Sequence, residues 1–137
     1  MKKAAKKDEF DDTGLEVIGI ATSLKDVTLL WQLNNTLHFK FKYFGAIALD
    51  DKNTDAFPYF IDNESRQFQY ALFYNRYKAY TLVPAFKQID FFLVSYVKLY
   101  EEEKAVLLKD LKSISGVSIA MHLSEPKKNA FEIFYIL

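Results

Sequence analysis

Few residues of this chain could do chemistry, and their types narrow what that chemistry could be. Cysteine is absent, and the only histidines, His38 and His122, lie far apart without the spacing of a metal pair. A thiolate nucleophile, a disulfide framework and a thiolate metal centre are excluded, and no metal site is expected. Gly116-Val117-Ser118 is an incomplete nucleophile elbow set where a helix leads into a strand, the reverse of the order that turn requires, so Ser118 is read as a strand residue. Gly14, Gly19, Gly45 and Gly116 are scattered and build neither a phosphate loop nor a dinucleotide fingerprint, so no cofactor is expected. One carboxylate stands out. Asp90 sits between Ile89 and Phe91 in the otherwise apolar stretch 82–93, and Asp is among the residues most depleted from strands. A lone carboxylate does not make a reaction, because proton transfer needs a positioned group within hydrogen-bond reach of its target. Asp90 is expected to hold a bend, by accepting backbone amides near Pro84 or by pairing with Arg76 or Lys78.

Two other stretches interleave rings and cations: residues 39–43 (Phe-Lys-Phe-Lys-Tyr) and residues 74–80 (Tyr-Asn-Arg-Tyr-Lys-Ala-Tyr). A sheet face carrying both kinds of side chain can stack bases and hold phosphates. Alternation in 39–43 sends the rings to one face and the lysines to the other, which is the pattern of an ordinary half-exposed strand. Tyr74, Arg76, Lys78 and Tyr80 share a parity, and they would present both kinds together if strand geometry continued through them. They are the candidate RNA contacts. Against RNA, 18 basic and 18 acidic side chains cancel, leaving no global field for a polyanion.

The elements that must position these residues follow from periodicity. A chain of 137 residues fits one domain, and an aromatic content of 17% favours strands. Residues 1–13, four lysines and then four acids, are expected to be a disordered tail, with a single domain over 14–137. Residues 15–22 are nearly all apolar and predict a central strand covered on both faces. Ser23 with Asp26 predicts a near capping box opening a helix over 24–37, with Leu24, Val27, Leu30, Trp31 and Leu37 on its buried stripe. Asn34 falls on that stripe as an amide that satisfies backbone groups. A meander of short strands is expected over 39–43, 57–61, 67–74 and 79–83, turning at 62–65 and at Asn75-Arg76, and a longer strand over 88–97. Glu101, Glu102 and Glu103 open a second helix that ends at about Ser115, with Gly116 as its left-handed C-cap. Strands over 117–123 and 130–137 follow.

The order β-α-β-β-β-β-β-α-β-β predicts an α+β domain, a mainly antiparallel sheet with two helices packed on one face. Its specific form is a ferredoxin-like split βαβ unit with an inserted β-meander. The last strand is apolar on both faces, so it is expected to be covered or to pair with a second copy, giving a homodimer through the C-terminal strand. With no secretory signal and no apolar run long enough for a membrane, a cytoplasmic protein that does not meet the membrane is expected.

Residues 29–34 (Leu-Leu-Trp-Gln-Leu-Asn), the aromatic meander of 57–75 and the segment 83–91 (Val-Pro-Ala-Phe-Lys-Gln-Ile-Asp-Phe) together resemble the IPExxxVDY family of small bacterial proteins. The likeness runs from about residue 15 to the C-terminus, and its most specific part is the spacing from Pro84 to Asp90. It implies no defined activity; members are often encoded near ribonuclease III, which implies a link to RNA metabolism. The chain departs from the motif at two polar positions, with Ala85 where the family has Glu and Phe91 where it has Tyr. Neither Ala nor Phe can transfer a proton. Trp31, Asn34, Pro84 and Asp90 are thus expected to be structural. The function expected is a non-enzymatic protein-interaction or adaptor module with an unknown protein partner, the alternative being an RNA-associated binding protein.

Overall fold

The apolar run at the start of the chain forms β1, Glu16–Thr22, buried at every position except the last and flanked by a strand on each side. In the computed structural model, residues 14–49, 56–62, 64 and 70–135 are described; the expected tail of 1–13 lies outside them. From β1 the chain runs through α1 (Asp26–Asn35), β2 (Lys42–Ile47), β3 (Phe57–Asp62), β4 (Tyr70–Tyr74), the short β5 (Arg76–Tyr77) and β6 (Tyr80–Thr81), a 3-10 turn at Pro84–Phe86 and β7 (Phe91–Ser95). It then continues as α2 (Glu101–Lys112), β8 (Val117–Leu123) and a second 3-10 turn at Glu132–Phe134.

The main sheet has the order β2-β3-β4-β7-β1-β8 with every pair antiparallel. The fold is α+β, as the periodicity predicts. β1 lies between β7 and β8, the strands that α2 joins, and β7 lies between β1 and β4, so the four strands β8-β1-β7-β4 have the split βαβ order. The hairpin β2-β3 is inserted between α1 and β4 and extends the sheet. Register shows where the helices sit: Tyr74 lies opposite Phe91 and Phe91 opposite Ile20, so all three share a face with Glu16. Tyr74 bonds Asp26 of α1 and Glu16 pairs with Lys104 of α2, which puts both helices on that face.

The opposite face is closed by segments with no long helix. Phe134 packs on Phe73 and Phe92 at ring separations of 4.9 and 5.2 Å, and Phe86 and Phe131 stack beside it. This overturns the expected final strand: residues 130–135 form a turn and a 3-10 helix. A strand would send Phe131 and Phe134 to opposite faces, whereas a 3-10 turn brings side chains three apart to the same side. Both rings are buried in this way, at about 2 kcal/mol each. The homodimer expected through that strand loses its strand.

Several boundaries also shift. The expected capping box at Ser23 is not formed; the residue before α1 is Lys25, with no side-chain cap. The buried residues of α1 are Leu29 and Leu33, while Val27 and Trp31, expected in the buried stripe, are 67% and 59% exposed. The strand expected over 88–97 shortens to β7, so Asp90 lies just outside it, and the strand expected over 79–83 shortens to β6. Among the described residues no helix is long and apolar enough to cross a membrane.

Candidate functional site

Asp90 is fully engaged. One oxygen accepts the Thr22 N–H at 2.9 Å and the other meets the Arg76 Nε at 3.3 Å. Thr22 ends β1 and Arg76 begins β5, so the carboxylate ties the end of the central strand to the following hairpin. The expected partner Arg76 is the one used, but the amide comes from β1 rather than from the neighbourhood of Pro84. The segment carrying Pro84 is held instead by Asn75, a residue the sequence suggested only as a turn. Asn75 is 0% exposed. Its side chain donates to the carbonyls of Phe86 and Ile89 and accepts the Val83 N–H, each at 2.8 Å. Its own N–H donates to Asp90 and its carbonyl accepts Leu82. The side chain and backbone together clasp the whole loop between β6 and β7. No local signal marks Asn75, because an Asn beside a hairpin is ordinarily a turn former. Asn34 does what its position suggests: its amide brackets Phe41, donating to the carbonyl and accepting the N–H.

A second carboxylate, Glu16, lies buried in β1. One oxygen accepts the Leu99 N–H at 2.9 Å, while the other lies 2.8 Å from His122 Nε2 and 3.5 Å from Lys104 Nζ. Burial alone would raise the acid, but the Leu99 amide, the His122 contact and the Lys104 charge outweigh it and hold the carboxyl below its ordinary range. Glu16 breaks an apolar strand just as Asp90 does, so the same compositional signal could have found it. His122 reaches the rim of a groove of about 820 Å³ that Ser124, Asn129 and Tyr135 also line. A buried carboxylate orienting an imidazole is two parts of a nucleophile machine. Among the described residues no hydroxyl bonds the other ring nitrogen, and no three His, Asp or Glu side chains converge on a metal position. Glu16 therefore ties β1, β8, α2 and the loop before α2 together.

The candidate RNA residues do not share a face. Tyr74 is buried and bonds Asp26, and its hydroxyl pKa is pushed up by burial and by that carboxylate. Asn75 turns inward, and the chain reverses after Tyr77 at Lys78, whose φ of 57° ends strand geometry there rather than at Asn75-Arg76. Arg76 is committed to Asp90, Lys78 lies 5.7 Å above the Tyr77 ring, and only Tyr80 is an exposed ring of the original pair.

Other exposed rings are spread over the described surface, Tyr100 and Tyr135 among them, and two lie side by side at one end of the sheet. Tyr43 and Phe44 of β2 are 65% and 59% exposed. Neighbours on a strand point to opposite faces, so Tyr43 meets Phe60 on the helix face and Phe44 meets Tyr59 on the other, where the register shifts between Tyr43 and Gly45. No family model, curated protein or solved structure matches this chain. β8 is the other end strand of the sheet: α2 packs against it and Ala120 on that face is 1% exposed, while Met121 is 45% exposed.

Proposed function

We propose that this protein is a non-enzymatic interaction module of the cytoplasm whose contact surface is the β2 edge of the sheet. A single observation carries the proposal: β2 is an end strand of the sheet, and Tyr43 and Phe44 stand from it as two large exposed rings side by side. Edge strands are ordinarily blunted against association, and large exposed rings clustered at one mark a surface meant to be covered. Aromatic anchors are also the residue types that dominate binding energy in protein interfaces. The carboxylates support the same reading, since Asp90 and Glu16 spend their oxygens on the fold. The resemblance to the IPExxxVDY proteins agrees with it, because the retained Pro84 and Asp90 both belong to the clasped joint. An RNA role would have to draw on Arg76, which is paired with Asp90, Lys78, which sits over the Tyr77 ring, and Tyr80.

The test is capture from a native lysate by wild-type protein and by the variants Tyr43→Ser and Phe44→Ser. Exposed rings contribute little to folding, so each variant should keep its unfolding midpoint while losing captured protein. Capture that survives both substitutions would refute the surface.

A further inference from the structure

We infer that residues 124–135 form an exchangeable strap, and that the surface beneath it accepts the same segment from a second copy of this chain, giving a strap-exchanged dimer. The hydrogen bonds of the segment let it move as a unit. Among the described residues, the N–H groups of Ala130, Glu132, Phe134 and Tyr135 all donate to carbonyls inside the segment. The Phe131 N–H is taken by the Glu125 carboxylate, which travels with it. The segment is tied to the body at Phe134, whose carbonyl accepts the Tyr96 hydroxyl at 2.6 Å, and at Tyr135, whose side chain bonds the Leu15 backbone. No ladder bond among the described residues joins it to a strand. The rest of its hold is apolar: Phe134 lies on Phe73 and Phe92, and Phe131 stacks on Phe86. Burial of that kind has no direction, so an identical segment from another chain satisfies it equally, which is why exchange of a terminal element is a low-cost route to a dimer.

The connection ahead of the two rings suits a hinge. β8 ends at Leu123, and residues 124–129 are all exposed. The groove of about 820 Å³ undercuts the segment, with Leu15 and His122 on the side of the sheet and Asn129, Glu132 and Tyr135 on the side of the strap. Sheet and strap therefore stand apart along the groove and meet at the rings. Asn129 is held in the left-handed region at a φ of 65°, and a hinge that straightens returns it to extended backbone. Pro126 turns the backbone of Glu125 away from helix towards extended chain, the form an outward-reaching connection needs. The resulting dimer rests on ring burial in place of strand pairing.

Tagged and untagged full-length chains, mixed at high concentration in mild urea and returned to buffer, test this. Untagged chain should be captured with the tagged one, and sedimentation should show a dimer fraction that grows with the concentration at mixing. An excess of synthetic peptide covering residues 124–137 should cut this capture about tenfold, while the same peptide carrying Phe131→Ala and Phe134→Ala should leave it unchanged. Tyr96→Phe keeps the ring and loses the hydroxyl, so its circular dichroism should stay as in the wild type while exchange quickens about fivefold, the worth of one hydrogen bond. Absence of captured chain at every concentration would overturn the strap exchange. So would capture that the peptide leaves untouched, or that Tyr43→Ser and Phe44→Ser abolish, since either would assign the dimer to another surface.

Discussion

At the scale of single residues, the informative contrast is between Asp90 and Asn75. Both join β7 to its surroundings, yet Asp90 keeps 27% of its side chain exposed and pairs with an exposed guanidinium, whereas Asn75 is sealed. Exposed ion pairs contribute little because solvent screens them, while an unpaired buried donor or acceptor costs its full desolvation. Asp90→Asn keeps an acceptor for Thr22 and is expected to cost no more than about 1 kcal/mol. Asn75→Ala leaves the Ile89 carbonyl and the Val83 N–H without the partner it supplies, takes one of two donors from the Phe86 carbonyl, and is expected to cost about 2–3 kcal/mol. Urea unfolding of the two variants side by side checks the order, and a larger loss for Asp90→Asn would contradict the clasp. The residue that breaks the sequence pattern is thus not the one that matters most to stability.

At the scale of elements, the joint between α2 and β8 is bound to the joint between β1 and α1. The Gly116 carbonyl accepts both the Ser23 N–H at 3.0 Å and the Thr22 hydroxyl at 2.7 Å, so the two connections leave the sheet together. Gly116 holds a φ of 99°, and a Cβ there would stand 2.6 Å from Leu24 Cδ2 and 2.7 Å from its Cγ. Gly116→Ala therefore meets backbone strain and a clash at once, and it should lower stability by about 1–3 kcal/mol. Thermal unfolding would measure this. An unchanged midpoint would mean that the two joints can separate freely. The sequence predicts Gly116 as a left-handed cap, but nothing in it says which distant side chain fills the space where a Cβ would go.

At the scale of the whole molecule, Glu16 is the point where β1, β8, α2 and the loop before α2 are tied. Its folded carboxyl lies below the ordinary 4.5. A depressed acid contributes stability in full above its unfolded value, and the contribution is lost as the pH falls through the folded value. Stability should therefore hold near neutrality, as far as Glu16 is concerned, and fall on acidification below about pH 4.5. Glu16→Gln should be less stable at neutral pH and show a shallower acid decline, measurable as urea midpoints over a pH series. Parallel curves for the two proteins would refute the assignment.

Period-two and helical spacing, with glycine placement, were enough to determine an α+β chain with a buried first strand, two helices and an antiparallel meander, because those signals are local. The tertiary structure decided the rest. Trp31 reads as a core residue until the rotation of α1 about Leu29 and Leu33 puts it outside, and residues 130–135 read as a strand until the two phenylalanines find one apolar face. The exclusion of cysteine chemistry is legible in residue types alone. That Tyr43 and Phe44 both stay exposed is not, since it depends on β2 coming to lie at the end of the sheet.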